Sequence, residues 1–165
     1  MARAKRSWQP REMQMVTEFL TKFYAARRWK TRVRLGSPPE ALIREEMTPE
    51  ERAMVGAWRR WADAVVYPPP DLIIIEAAIR PAPGKIAQLE LYALLLPHTP
   101  EFLGIKYEKI RLILLFAIED PATTFLARHK GIECVEYKPT WLPAYLRILM
   151  PRERRGSLPG KEISP

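Results

Sequence analysis

The sequence is poor in the residues that build cross-links and soft-metal sites. It has a single cysteine, Cys134, and two histidines, His98 and His129. One cysteine makes no internal disulfide, and no Cys/His cluster is present to hold zinc. Cys134 lies in the alternating run "IECVEY" and reads as a strand residue. Long apolar runs are also missing; none approaches the roughly 20 residues that a membrane span needs. The first residues, "MARAKRSW", lack the apolar core of a secretory signal. No repeat and no low-complexity block interrupts the chain. These absences exclude a disulfide scaffold and a membrane span, and they lead us to expect a reducing, cytoplasmic setting.

What is present is positive charge. The 165 residues include 27 Lys and Arg against 19 Asp and Glu, a net charge of +8. Such an excess favours a polyanionic partner: DNA, RNA or an anionic lipid surface. Basic ends such as "MARAKR" and "MPRERRG" carry part of it, but "YAARRWKTRVR" and "WRRW" are internal and belong on a folded body. The length suits one domain. We expect a flexible basic arm over 1–9, a single domain over 10–150 and a disordered basic tail over 151–165.

Periodicity gives the elements. Met15, Val16, Phe19, Leu20, Phe23 and Tyr24 recur at helical spacing and predict a helix over about 11–27. "KTRVRL" at 30–35 alternates and predicts a short edge strand. A helical turn is expected over 39–46. "TPEERAMVGAWRRWA" predicts a helix, with Thr48 as cap, Pro49 in first position and Glu51 closing a capping box. "DAVVY", "PPP" and "LIIIEAA" read as an antiparallel hairpin, its second strand buried on both faces. A helix from Gly84 to Leu95 follows, then a loop and the strand "IRLILLFAI". Next come a helix opened by Asp120 and Pro121 and ended by Gly131, the strand "IECVEY", and a last helix with Pro143 in its first turn. The expected fold is α/β, a mixed sheet of four or five strands flanked by helices.

One charge needs explaining. Glu76 follows "LIII" directly, where burial of an unpaired carboxylate is costly and calls for a cation. Asp63 heads the neighbouring strand, so a hairpin can bring the two carboxylates together. Such a pair is a hard-oxygen site suited to magnesium or manganese, with the Ala77 carbonyl as a third protein oxygen. A metal or Arg80 would supply the positive charge.

The run "ADAVVYPPPDLIIIEAA" followed by "GKIAQLELY" resembles the PD-(D/E)xK nuclease superfamily, in particular archaeal Holliday-junction resolvases and RecB-like nucleases. The resemblance covers roughly half the chain and implies a restriction-endonuclease-like sheet. It implies that Asp63 and Glu76 bind the metal, and that Gln88 and Tyr92, four residues apart on the next helix, orient its surroundings or touch DNA. Related resolvases add an acid from the first helix, for which Glu18 is the positional candidate. They also act as dimers, which makes a homodimer an expected partner state.

The chain departs from the pattern at Ala78, where the family places a lysine. Three readings stand: a lysine replaced by alanine in an otherwise intact nuclease; a lysine role taken by Lys85, or by Arg80; and a pseudo-nuclease that binds without cutting, such as a phage structural or packaging protein. A further reading is a scaffold whose charge serves solubility. The basic residues expected along a phosphate path are Lys30, Arg32 and Arg34, on one face of the edge strand, with Arg59 and Arg60 beside the site on the preceding helix. Trp29, Trp58 and Trp61 lie among them, and Trp58 and Trp61 are expected in the core.

Overall fold

A computed structural model describes residues 10–37, 45–56 and 59–149. The expected arm, the tail, residues 39–44 of the turn expected over 39–46, and Trp58 lie outside the described residues. A five-stranded mixed sheet runs in the order β1 (Trp29–Leu35), β2 (Arg60–Val66), β3 (Leu72–Ala78), β4 (Ile110–Phe116), β5 (Glu133–Glu136). β1–β2 and β2–β3 are antiparallel, whereas β3–β4 and β4–β5 are parallel. The helices are α1 (Pro10–Phe23), α2 (Pro49–Gly56), α3 (Gly84–Leu95), α4 (Pro121–His129) and α5 (Leu142–Leu149).

Parallel neighbours need crossover connections, and α3 and α4 supply them. Ile86, Leu89 and Tyr92 of α3 and Ala127 of α4 join Leu72, Ile74 and Leu114 in one core. Met15, Val16, Phe19 and Leu20 of α1 and Leu142 of α5 cover the other face over Ile73, Ile75 and Leu115. All seven residues of β3 are buried, as a strand covered on both faces requires. No described helix is long and apolar enough to cross a membrane.

Local chemistry sets the boundaries. The Thr48 amide donates to Glu51 Oε2 at 2.9 Å and the Glu51 amide to Thr48 Oγ1 at 3.2 Å, a reciprocal capping box. Asp120 Oδ2 accepts from the Thr123 amide at 3.1 Å and opens α4. Gly131, at φ 74°, turns the chain out of α4 in the left-handed conformation that glycine allows.

Three expectations change. α1 stops at Phe23, not near 27, and Phe23 is exposed. The expected loop after α3 contains two short 3-10 turns, Leu96–His98 and Pro100–Phe102. The helix expected to run through "WRRWA" does not reach its end: α2 is described over Pro49–Gly56, and Arg60 and Trp61 belong to β2. There they pair with Leu35 and Arg34 of β1, so sheet pairing overrides the local helical pattern. Trp61 is accordingly 40% exposed rather than core.

β1 and β2 also share an irregularity. Trp29 packs on the α1 side of the sheet, whereas Val33 and Leu35, at the same parity, pack on the α3 side. The alternation changes phase between them, where Arg32 adopts φ 52°. β2 changes phase at the facing position: Ala62 and Val65 join one core, Ala64 and Val66 the other. Asp63 stands at that break, where bulge-like geometry re-aims a side chain.

Candidate active site

Register places the two carboxylates face to face. The β2–β3 ladder pairs Val66 with Ile73, Val65 with Ile74 and Ala64 with Ile75, then stops. The next pair would be Asp63 with Glu76. There the strands part, and the Asp63 side chain takes over, Oδ2 accepting from the Ala77 amide at 2.8 Å. The site lies at the carboxyl end of β3, the end of a parallel arrangement where ligands bind.

Glu76 is 3% exposed. Its Oε1 accepts from Lys85 Nζ at 2.7 Å. Its Oε2 is buried and has no hydrogen-bond partner among the described residues. Lys85 stands in the first turn of α3, one helix beyond the strand it reaches. Residues 76 and 78 share a face of β3 by alternation, and α3 covers that face. Lys85 therefore brings its ammonium to the side of Glu76 from which a lysine at position 78 would approach. Ala78 itself is buried, at 4% exposure.

The charges perturb one another. Burial raises the Glu76 carboxyl, the Asp63 charge raises it further, and Lys85 opposes both, leaving it at about 7. Asp63 is raised by burial against the pull of Lys85 and of the Ala77 amide. Burial works to lower Lys85, but the Glu76 charge and hydrogen bond, with Asp63 and Glu12 beyond, hold it above its ordinary value. Glu12 is raised by its own burial, with Lys85 pulling the other way.

Glu12 is the acid that α1 brings here. Its Oε1 accepts from the Ile79 amide at 3.2 Å. Glu18, expected in this role, instead accepts from Trp141 Nε1 at 2.9 Å and from Gln14 Nε2 at 3.0 Å. Helical phase explains the exchange. Met15, Val16, Phe19 and Leu20 form the buried stripe, and one turn earlier that stripe reaches Glu12, while Glu18 lies on its flank. A carboxylate in line with an apolar stripe was the signal available in the sequence.

Other expected residues are placed differently. Arg80 pairs with Asp120 at 3.1 Å and is 65% exposed, so Lys85 and not Arg80 meets Glu76. Tyr92 is buried, and its hydroxyl donates to the Trp61 carbonyl at 2.6 Å, tying α3 to β2 two residues before Asp63. Gln88, half-buried, lies between Lys85 and Tyr92 on the same side of α3. Arg59 is held by Glu101 through two bonds of 2.7 Å and donates to the Arg34 carbonyl at 2.9 Å, so its charge is already compensated. Arg60 is exposed on β2 rather than on a helix. The expected one-faced stripe on β1 is split by the turn at Arg32: Lys30 lies over the Tyr67 ring, Arg32 and Arg34 over Trp61.

Among the described residues no group of three or more His, Cys, Asp or Glu gathers as a metal cage. A magnesium-type ion does not require one, since it keeps several waters and takes one or two carboxylates together with substrate phosphate. Glu76 Oε2, buried and unpartnered beside Asp63, fits such an ion.

No protein-family model and no curated protein matches the chain. Solved structures of similar shape exist. The complex of EndoMS with double-stranded DNA is 15% identical over 84% of this chain and 49% of that one, with a TM-score of 0.45. A repair endonuclease from Pyrococcus abyssi is 15% identical over 83% and 50%, with a TM-score of 0.44. A protein of unknown function is 11% identical over 84% and 66%, with a TM-score of 0.47. The chain thus spans about half the length of the first two of these proteins.

Proposed function

We propose that the chain is a metal-dependent nuclease hydrolysing phosphodiester bonds in DNA, with Lys85 in the role a lysine at position 78 would have. The observation that carries this reading is Glu76: buried at a strand end, opposite Asp63, one oxygen on an ammonium and the other without a partner. Nothing structural requires a carboxylate there, and an apolar residue would cost less.

Asp63, Glu76 and the Ala77 carbonyl are the proposed ligands of a magnesium or manganese ion. Such an ion would lower the pKa of a bound water and offset charge on the phosphate. The protein's own part is arrangement. The Ala77 amide fixes the Asp63 rotamer, and the Tyr92 hydroxyl anchors the strand that carries it. Lys85 opposes the burial that favours the protonated form of Glu76 and presents a proton donor for the charge that grows on the scissile phosphate. Gln88 lies one turn on, where it can orient the outer shell of the ion.

Ala78 favours a second reading, a protein that keeps the site and binds DNA without cutting. Cleavage of labelled linear, flapped and four-way DNA in magnesium, manganese and EDTA separates the two. Metal-dependent cutting by the chain as it stands supports the relocated lysine. Cutting only by Ala78→Lys marks a site disabled at one position. Binding without cutting by either protein sinks the nuclease reading.

A further inference from the structure

Along the edge strand runs an open groove of about 360 Å³, lined by Lys30, Arg32, Arg34, Arg59, Trp61 and Tyr67 among others. Of its three rings, Tyr67 stacks on Phe102 at one end and Trp61 stands at the other. Tyr67 lies beneath Lys30 Nζ, 5.8 Å from the ring centre, and Trp61 beneath Arg34 Cζ at 4.5 Å and Arg32 Cζ at 5.5 Å. Arg32 and Arg34 thus have an aromatic ring, not a carboxylate, as their partner among the described residues. Arg59 also lines the groove, and its Nε is buried without a hydrogen-bond partner among the described residues.

The Trp61 end of the groove lies on the strand that carries Asp63. β2 runs antiparallel to β3, so its first residues, Trp61 among them, lie toward the carboxyl end of β3. Trp61 is two residues from Asp63, about 7 Å along the strand. A strand stacked on Trp61 therefore lies toward the same end of the sheet as Asp63 and Glu76.

We propose that this groove binds an unpaired, single-stranded stretch of a polynucleotide, with Trp61 as the platform on which a base stacks. Cationic side chains beside exposed rings are the pattern that tracks a backbone and stacks its bases without reading sequence. Duplex bases bury their faces in their own stack, so only an unpaired base reaches the ring. As it does, the guanidiniums of Arg32 and Arg34 move from the ring to the flanking phosphates. This inference rests on the nuclease reading for its direction, because it makes the preferred substrate a frayed, flapped or single-stranded one.

The test is fluorescence anisotropy with labelled oligo(dT), oligo(U) and a blunt duplex of equal length, in EDTA. The proteins are the unmodified chain, Trp61→Ala, Trp61→Phe and Arg32→Ala, each checked for an unchanged circular dichroism spectrum. Trp61→Ala is expected to weaken single-strand binding about tenfold, the stacking of one base, and duplex binding less than about twofold. Trp61→Phe should recover most of the loss. Arg32→Ala should reduce the salt slope by about 1. Equal binding of oligo(dT) and oligo(U) supports a site that ignores the sugar, and a preference names its natural strand. Equal loss on single strands and duplex, or no loss, overturns the proposal. If the unmodified chain cuts duplex DNA while Trp61→Ala leaves single-strand binding unchanged, this inference fails and the nuclease reading stands. If no polynucleotide binds, both fail.

Discussion

Two ion pairs in this molecule connect neighbouring elements and end in opposite states. On the β4–β5 edge, Arg111 meets Glu133 through two parallel bonds of 2.7 Å, both partners partly exposed at 30% and 43%. Hydrogen bonding to Arg111 holds the Glu133 carboxyl below its ordinary value. At the end of β3, Lys85 meets Glu76 through one bond, the carboxylate is 4% exposed, and burial pushes it up to about 7. The first pair satisfies its carboxylate at the surface. The second buries a carboxylate and leaves an oxygen over. A fold seeking stability has no use for the second arrangement, because breaking even with an apolar pair is the usual best outcome for buried charges. Its form makes sense when a further cation is part of the site.

The largest expected effect breaks that difference outright. If the chain cuts DNA, Glu76→Gln or Asp63→Asn should abolish metal-dependent cleavage in a gel assay, and Glu133→Gln should leave it intact. In metal-free buffer at pH 8, Lys85→Met should cost about 3 kcal/mol of unfolding free energy, since it strands a buried carboxylate. Arg111→Met, at the exposed pair, should cost less than about 1 kcal/mol. Urea titration reads both, and equal losses would remove the contrast.

Acidity sharpens the comparison. The folded state holds the Glu76 proton more tightly than the unfolded chain, in which it leaves near 4.5. The folded state therefore binds the extra proton, and its contribution to stability is complete below about pH 4.5 and lost as pH rises through about 7. Unfolding in EDTA should show this fall, and Glu76→Gln should flatten it. The penalty of Lys85→Met should likewise shrink toward pH 6, where Glu76 can carry a proton. The smallest effect is expected from Tyr92→Phe, about 1 kcal/mol for one lost hydrogen bond to the Trp61 carbonyl. Calorimetry would detect it as a modest drop in Tm.

Much of the fold was legible because its signals are local. "LIIIEAA" is too apolar for anything but a covered strand, and caps at Thr48 and Asp120 mark helix starts. Asp63 and Glu76 could be paired from chain order alone, since a hairpin with a short "PPP" connection fixes which residues face each other. Lys85 could be named but not chosen over Arg80, because the choice depends on where the first turn of α3 lands. Trp61 was misread because "WRRWA" continues a helical pattern, and only pairing with β1 shows it to be strand. Glu18 is the acid expected from the first helix, and Glu12 goes unnamed for want of the packing phase of α1, although the apolar stripe points to Glu12. The phase change at Arg32 and Asp63 had no sequence signal, since neither residue type demands it.

The central claim is that the lysine of this site comes from α3. The most direct measurement compares metal-dependent cleavage by the chain, by Lys85→Met and by Lys85→Met combined with Ala78→Lys. The account predicts cutting by the first, a loss on the order of 10²–10³-fold in the second, as for removal of one donor that stabilises transition-state charge, and substantial recovery in the third. Undiminished cutting by Lys85→Met would contradict it.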